Sequence, residues 1–278
     1  VPESSEERAI HPTAIVMPGA EIGPGVEVGP YAVIEPGVEI GASCRIGPHV
    51  HLLGRTILGP HCVVGTGSVL GGVPQDHKYK GERTLVRIGA RVKMHEHVTV
   101  HRATGDGETV VEDDALMMVG SHVGHNARLG AGATLVNCAA LAGHSTMGEK
   151  SIMSAYCGIH QYGRVGRLTL VTGAQVVSLD APPFSIVTGS HPTRWRAPNT
   201  IGLRRGGFTS EERAEIRKAL FRIFSGEESA RAAAEALKAH AIAAVREIAE
   251  FVLSSKRGVC APPPRRSPQS DEGKLEDD

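Results

Sequence analysis

The chain has 278 residues, and its 30 basic and 30 acidic side chains leave no formal net charge. That balance excludes the global basic field of a nucleic-acid binder, and 5 cysteines with no C-x-x-C pair argue against a zinc ribbon or a disulfide framework. No apolar run reaches the ~18 residues of a membrane span, and the opening VPESSEERAI lacks the apolar stretch of a signal peptide, so a soluble cytoplasmic protein is expected.

A six-residue period runs through the first two thirds. Every sixth residue from Ile10 through Leu70 is aliphatic, beginning Ile10, Val16, Ile22, Val28 and Ile34. The frame resumes at Ile88, Met94 and Val100, and again from Val111 through Val177. Two positions before the aliphatic residue the side chain is nearly always small or β-branched, as at Ala14, Ala20, Val26 and Ala32, with Gln175 the clear exception; one position after it glycine recurs, as at Gly23, Gly29, Gly41 and Gly47. Neither a helix nor an ordinary strand has this period. A hexapeptide repeat implies a short strand, then a corner that calls on glycine's permissive backbone. Three repeats close a triangular coil, and coils stack as parallel strands ~4.8 Å apart into a prism on the order of 40 Å long. The fold class is therefore a β solenoid over residues 1–190. Two polar, glycine-bearing interruptions, 71–87 and 101–110, are expected as loops on one face, often the binding face of a solenoid.

The period stops near Pro182 and Pro183. Residues 191–258 read as a connecting segment followed by a small α-helical domain. Thr209 with Glu212, and Ser225 with Glu228, fit the capping box, and Ile216, Leu220, Ile223 and Phe224 form a helical stripe. Further helices are expected through roughly 227–255, and the polar tail 259–278 is expected to be disordered. Arg204, Arg205, Arg213, Arg217, Lys218 and Arg222 outnumber Glu211, Glu212 and Glu215 in one stretch, which suits an acidic partner or an ordinary solvated helix face.

Residues 18 apart stack on neighbouring coils. His125, Gly143 and Gln161 then share one column, and Asn126, His144 and Tyr162 share the next. With His122 and His160 they should gather within ~10 Å along one edge. Such a cluster suits general acid–base chemistry, and the N–H of Gly143 could face a developing oxyanion. Cys44, Cys62 and Cys157 occupy the small inward position and read as core.

The segments GGVPQDHKYKGERT (71–84), HVTVHR (97–102), SHVGHN (121–126), LAGHS (141–145), HQYG (160–163) and GLRRGGF (202–208) resemble the UDP-N-acetylglucosamine acyltransferases that begin lipid A synthesis. The resemblance covers residues 10–255 and implies a left-handed parallel β-helix with a small C-terminal α-helical domain. It implies a cytoplasmic homotrimer with sites shared between neighbouring subunits. The implied reaction moves a (3-hydroxy)acyl chain from acyl–acyl carrier protein, as co-substrate, to the 3-position of UDP-N-acetylglucosamine, with no other cofactor and no metal. By the same resemblance His125 is the general base and the Gly143 N–H the oxyanion donor. Asp76 and Lys78 are sugar and nucleotide contacts; His122, His144 and Gln161 orient the ligand; His160 is a second-line contact. Asn199 and Arg205 would hold the uridine diphosphate, Gly173 and His191 would limit the acyl chain, and Arg204 with the helix carrying Arg213, Arg217, Lys218 and Arg222 would meet the carrier protein. A glycine at 173 hints at a longer chain. The sequence departs from the family at Asn126, where Asp is frequent, and at Ile201, where an acidic residue is usual. The rival readings are a zinc hydratase of the γ-carbonic anhydrase type on the same fold, a 3-amino-sugar nucleotide N-acyltransferase, and a solenoid that binds without catalysis.

Overall fold

In the computed structural model, which describes residues 9–189 and 191–262, most repeats contribute one two-residue strand. Glu21–Ile22, Glu27–Val28 and Glu39–Ile40 each expose the glutamate and bury the aliphatic residue. Pairing joins residues one coil apart, Glu27 to Arg45, Val33 to His51 and Glu39 to Ile57. Successive strands thus enter different sheets, and the described residues form three sheets of 11, 9 and 8 strands. Inside runs an uninterrupted aliphatic column. Ile34, Leu52, Leu70, Val100, Val123 and Leu141, from one face, are fully buried, and so are the small residues Ala32, Val38 and Cys44 at the corners.

The recurrent glycine answers a different demand from the one its position suggests. Gly23, Gly29, Gly41, Gly47 and Gly59 have no positive φ. A Cβ on Gly41 would stand 2.6 Å from the backbone N of Pro60, and one on Gly59 2.6 Å from the carbonyl carbon of Gly89. These glycines let one coil's corner rest on the backbone of the next. The left-handed backbone falls two residues later, with φ between 55° and 62° at Tyr31, Ser43, His49 and His61. The chain keeps side chains there although each costs an L-residue about 1–2 kcal/mol.

The two interruptions are shorter than the broken period implies. Leu85–Ile88 pairs with Thr56–Leu58 on one side and with Glu108–Val111 on the other, so the excursions occupy 73–84 and 102–107. They are tied together: Arg102 Nε donates to the Tyr79 hydroxyl at 3.0 Å, and Thr84 Oγ1 donates to the Ala103 carbonyl at 2.5 Å.

The solenoid runs past the end of the hexad frame. Ser185–Thr188 adds a parallel strand beside Leu170–Val171, and Arg194–Pro198 returns antiparallel to it. The stretch read as a connector therefore begins inside a sheet, and its Trp195 stacks on Phe224 at 5.0 Å. Among the described residues four helices follow: α1 Thr200–Arg205, α2 Ser210–Phe224, α3 Ala230–Leu237 and α4 Ala243–Leu253. The capping box at Thr209 and Glu212 forms with both bonds, and Ile216, Leu220, Ile223 and Phe224 are buried. The second expected box does not form. Ser225 ends α2, Gly226 turns at φ 77°, and Ser229 caps α3 instead.

Residues 259–261 correct the expectation of a disordered tail from 259. Val259 bridges to Asp180 and Ala261 to Arg194, and Cys260 is buried. Backbone pairing holds this short apolar stretch against the solenoid. Residues 263–278, the rest of that tail, lie outside the described residues. Among the described residues no helix is long and apolar enough to cross a membrane.

Candidate active site

Both excursions rise from one corner of the prism, between the nine-stranded and eight-stranded sheets, and the histidines occupy the same corner in the coils above. His122–Val123 ends a strand of the first sheet and Arg128–Leu129 begins one of the second; His125 and Asn126 turn between them. The same turn recurs at Gly143 and His144 and at Gln161 and Tyr162. The stacked positions meet as the 18-residue spacing requires: the rings of His125 and His144 lie edge-on at 5.2 Å, and His144 stacks on Tyr162 at 4.7 Å.

A cavity of about 640 Å³ opens here, lined by Asp76 and Lys78 from the first excursion and by His101, His122, His125, Gly143 and Gln161 from the coils. His125 is buried, with only 7% of its surface exposed. Its Nδ1 lies 2.9 Å from Asn126 Oδ1. That oxygen also accepts from the backbone N–H of Thr104 at 2.9 Å, while Asn126 Nδ2 donates to the Thr104 carbonyl at 3.1 Å. The amide can sit only one way in this setting, since an N–H donates and a carbonyl accepts. Nδ1 must therefore carry a proton, so the neutral form of His125 is the Nδ1–H tautomer, with Nε2 turned toward the cavity. Nε2 lies 3.8 Å from Asp76 Oδ2.

Gly143 packs against the same ring. A Cβ there would stand 2.5 Å from His125 Cε1. Its N–H donates to nothing among the described residues.

The electrostatics set one carboxylate, Asp76, near three imidazoles whose cations are disfavoured, those of His101, His122 and His144. The Lys78 backbone N–H, at 2.9 Å, holds the Asp76 carboxyl below the usual range, helped by nearby His125 and Lys78. Burial pushes His122 down to about 4, and neighbouring His101 adds to the shift; its Nδ1 meets Thr99 Oγ1 at 2.8 Å. Burial, with His125 nearby, also lowers His101 and His144. A bare imidazole nitrogen, a free N–H beside it and an anion nearby can remove a proton and receive a developing oxyanion.

Other expected site residues lie elsewhere. His160 is exposed, with Nδ1 3.1 Å from its neighbour's carbonyl at Gln161. Asn199 and Arg205 line a second cavity of about 490 Å³, with Lys150, Ile152, Leu168 and Ile201. There Asn199 caps α1: its Oδ1 accepts from Gly202 N at 2.9 Å and its Nδ2 donates to the Leu168 carbonyl at 2.8 Å. Gly173 and His191 are exposed and line neither cavity. In the basic stretch Lys218 pairs with Glu215, Arg222 with Glu228, and Arg213 donates to the Phe208 carbonyl. Arg204, Arg205 and Arg217 have no acidic partner among the described residues. No three His, Cys, Asp or Glu side chains there converge in a way that could hold a metal ion.

Sequence reasoning gave no role to His101, which lines the cavity edge-on to His122 at 4.7 Å, nor to Thr104. Counting by 18 fails there because the second excursion shifts the register: Thr99 pairs with His122.

The chain resembles known proteins along most of its length. Residues 180–260 match the family model described as UDP N-acetylglucosamine O-acyltransferase, domain 2, and residues 37–72 match the bacterial transferase hexapeptide model. The acyl-[acyl-carrier-protein]–UDP-N-acetylglucosamine O-acyltransferase of Paraburkholderia phymatum is 40% identical over 258 residues, covering 90% of this chain and 98% of that protein. The enzyme of the same name from Anaeromyxobacter dehalogenans is 43% identical over 218 residues, covering 78% and 84%. Among solved structures, the UDP-N-acetylglucosamine acyltransferase of Francisella novicida superposes with a TM-score of 0.88 at 30% identity, covering 91% of this chain and 94% of that one.

Proposed function

Because this chain belongs to the family of acyl-carrier-protein-dependent UDP-N-acetylglucosamine O-acyltransferases, we propose that it performs that family's reaction at the corner cavity, with His125 as general base. It is an O-acyltransferase of lipid A biosynthesis. Nε2 of His125 takes the proton from the 3-hydroxyl of UDP-N-acetylglucosamine, and the freed oxygen attacks the thioester carbonyl of a (3-hydroxy)acyl–acyl carrier protein. The Gly143 N–H receives the oxyanion of the tetrahedral intermediate. Collapse breaks the C–S bond, and the imidazolium returns its proton to the departing thiolate, leaving a 3-O-acyl sugar nucleotide and a free carrier thiol. Asp76, 3.8 Å away, favours the transient imidazolium that the neutral Asn126 cannot stabilise by charge.

The observation that carries this reading is the buried imidazole with its Nδ1 committed to Asn126 and its Nε2 facing the cavity without a hydrogen-bond partner, near an unpaired backbone N–H at Gly143. Lys78, His122, His144 and Gln161 are the groups that would orient the sugar nucleotide, with His160 behind them. Asn199 and Arg205 line a different cavity of the chain, in keeping with a homotrimer whose sites draw on neighbouring subunits. The left-handed winding, the cytoplasmic location, carrier docking near Arg204 and Arg217, and acyl-chain limits at Gly173 and His191 belong to the same reading. The test is turnover of wild type and His125→Ala with carrier-protein thioesters of graded length, using the 3-hydroxyl sugar and its 3-amino analogue. Loss of turnover in the variant with the hydroxyl sugar supports the assignment; undiminished turnover removes it, and preference for the amino sugar makes the chain an N-acyltransferase.

A further inference from the structure

The second excursion, 102–107, makes none of the chemistry, yet it closes around the one side chain that holds the base. Thr104 gives Asn126 Oδ1 two donors, its backbone N–H at 2.9 Å and its hydroxyl at 3.0 Å, and takes Asn126 Nδ2 on its carbonyl at 3.1 Å. From the other end of the loop, Gly107 leaves the space the amide fills: a Cβ there would stand 2.5 Å from Asn126 Nδ2. From outside the loop, Thr109 Oγ1 accepts the Asn126 backbone N–H at 2.8 Å, fixing the left-handed backbone (φ 59°) from which the amide projects. We propose that Thr104 and Gly107 are positioning residues, forming a clamp that holds the Asn126 amide in the one orientation that protonates His125 on Nδ1 and leaves Nε2 free. A reversed amide would point Nδ2 at Nδ1, put the imidazole proton on Nε2 and disable the base. A carboxylate at 126 has two equivalent acceptors and needs no such orientation; an amide does, and this chain carries an amide.

The inference rests on His125 being the base, so its test separates the two ideas. Gly107→Ala pushes on the amide and lowers kcat about tenfold or more; Thr104→Val removes one donor and lowers it about fivefold. KM stays within about twofold in both, and Thr104→Ser recovers most of the loss. In an Asn126→Ala background neither change lowers kcat further, because both act through Asn126. Nitrogen spectra of 15N-histidine-labelled protein show His125 as the Nδ1–H form in wild type and a mixture of forms in Gly107→Ala. Additive losses in the Asn126→Ala background, or an unaltered His125 tautomer in Gly107→Ala, overturn the clamp. A tautomer change without loss of turnover upholds the clamp and removes His125 as base.

Discussion

Gly143 is the floor on which the His125 imidazole lies: a side chain at 143 would begin 2.5 Å from Cε1 of that ring. Gly143→Ala keeps the backbone N–H in place and drives the ring aside. A displacement near 1 Å at a reacting group costs about 10²-fold, so kcat should fall by about that factor while the melting temperature changes little. Steady-state kinetics with a thermal melt checks it. Full activity would show that the ring's seat on Gly143 is unimportant.

The half-buried histidines make stability depend on acid. His122 sits near 4 in the folded chain against 6.5 ordinarily, because burial disfavours its cation. Between those values the unfolded chain binds a proton that the native chain refuses, so the stabilisation is whole above pH 6.5 and is lost as pH falls toward 4. The shift corresponds to about 3 kcal/mol, and His101 and His144 act in the same direction. Denaturant melts between pH 7.5 and 4.5 should show wild type losing more stability than His122→Gln by about that amount. Equal losses would mean that His122 is not held neutral.

The two corner positions should respond oppositely to substitution. Gly41→Ala places a methyl 2.6 Å from the next coil's backbone, a clash that no rotamer relieves, and should cost about 1–3 kcal/mol or more. Ser43→Gly, two residues on at φ 56°, relieves a left-handed residue and gives back conformational freedom, so it should stay within about 1 kcal/mol of wild type. Melts of both variants decide between steric and conformational accounts of the repeat's glycine.

That contrast also explains how much of the molecule was legible beforehand. The six-residue period fixes which side chains face inward, because each buried residue answers to the same geometry in every coil; Leu52, Leu70 and Val123 follow from it directly. It fixes the column of His125, Gly143 and Gln161 wherever coils are regular. It is silent where the step length changes. The 102–107 excursion shifts Thr99 onto His122, so neither Thr104's hold on Asn126 nor the place of His101 could be counted out. The helical caps show the same limit: two S/T-x-x-E patterns look alike in the chain, and Gly226 decides that only the one at Thr209 forms.

The joint between solenoid and helices depends on one buried carboxylate. Asp180, 1% exposed, accepts from the Arg164 backbone N–H at 3.0 Å, Arg164 Nε at 2.8 Å and Ser255 Oγ at 2.8 Å. Arg164 also lies over the Phe251 ring at 4.3 Å and donates to its carbonyl at 2.9 Å. Asp180→Ala removes the counter-ion of a guanidinium that is 27% exposed and still held by Ser254 and Phe251, a loss of about 1.5–3 kcal/mol, as for a hydrogen bond to a charged group. Because each coil is supported mainly by its neighbours, the loss should be local. Hydrogen exchange should quicken in α4 and at 259–261, with strands from Glu21 through Met147 still protected. Replacing both partners, Asp180→Leu with Arg164→Met, leaves no unpaired charge and should recover much of the protection. Uniform loss across the solenoid in the single variant would place Asp180 in the global core rather than at the joint.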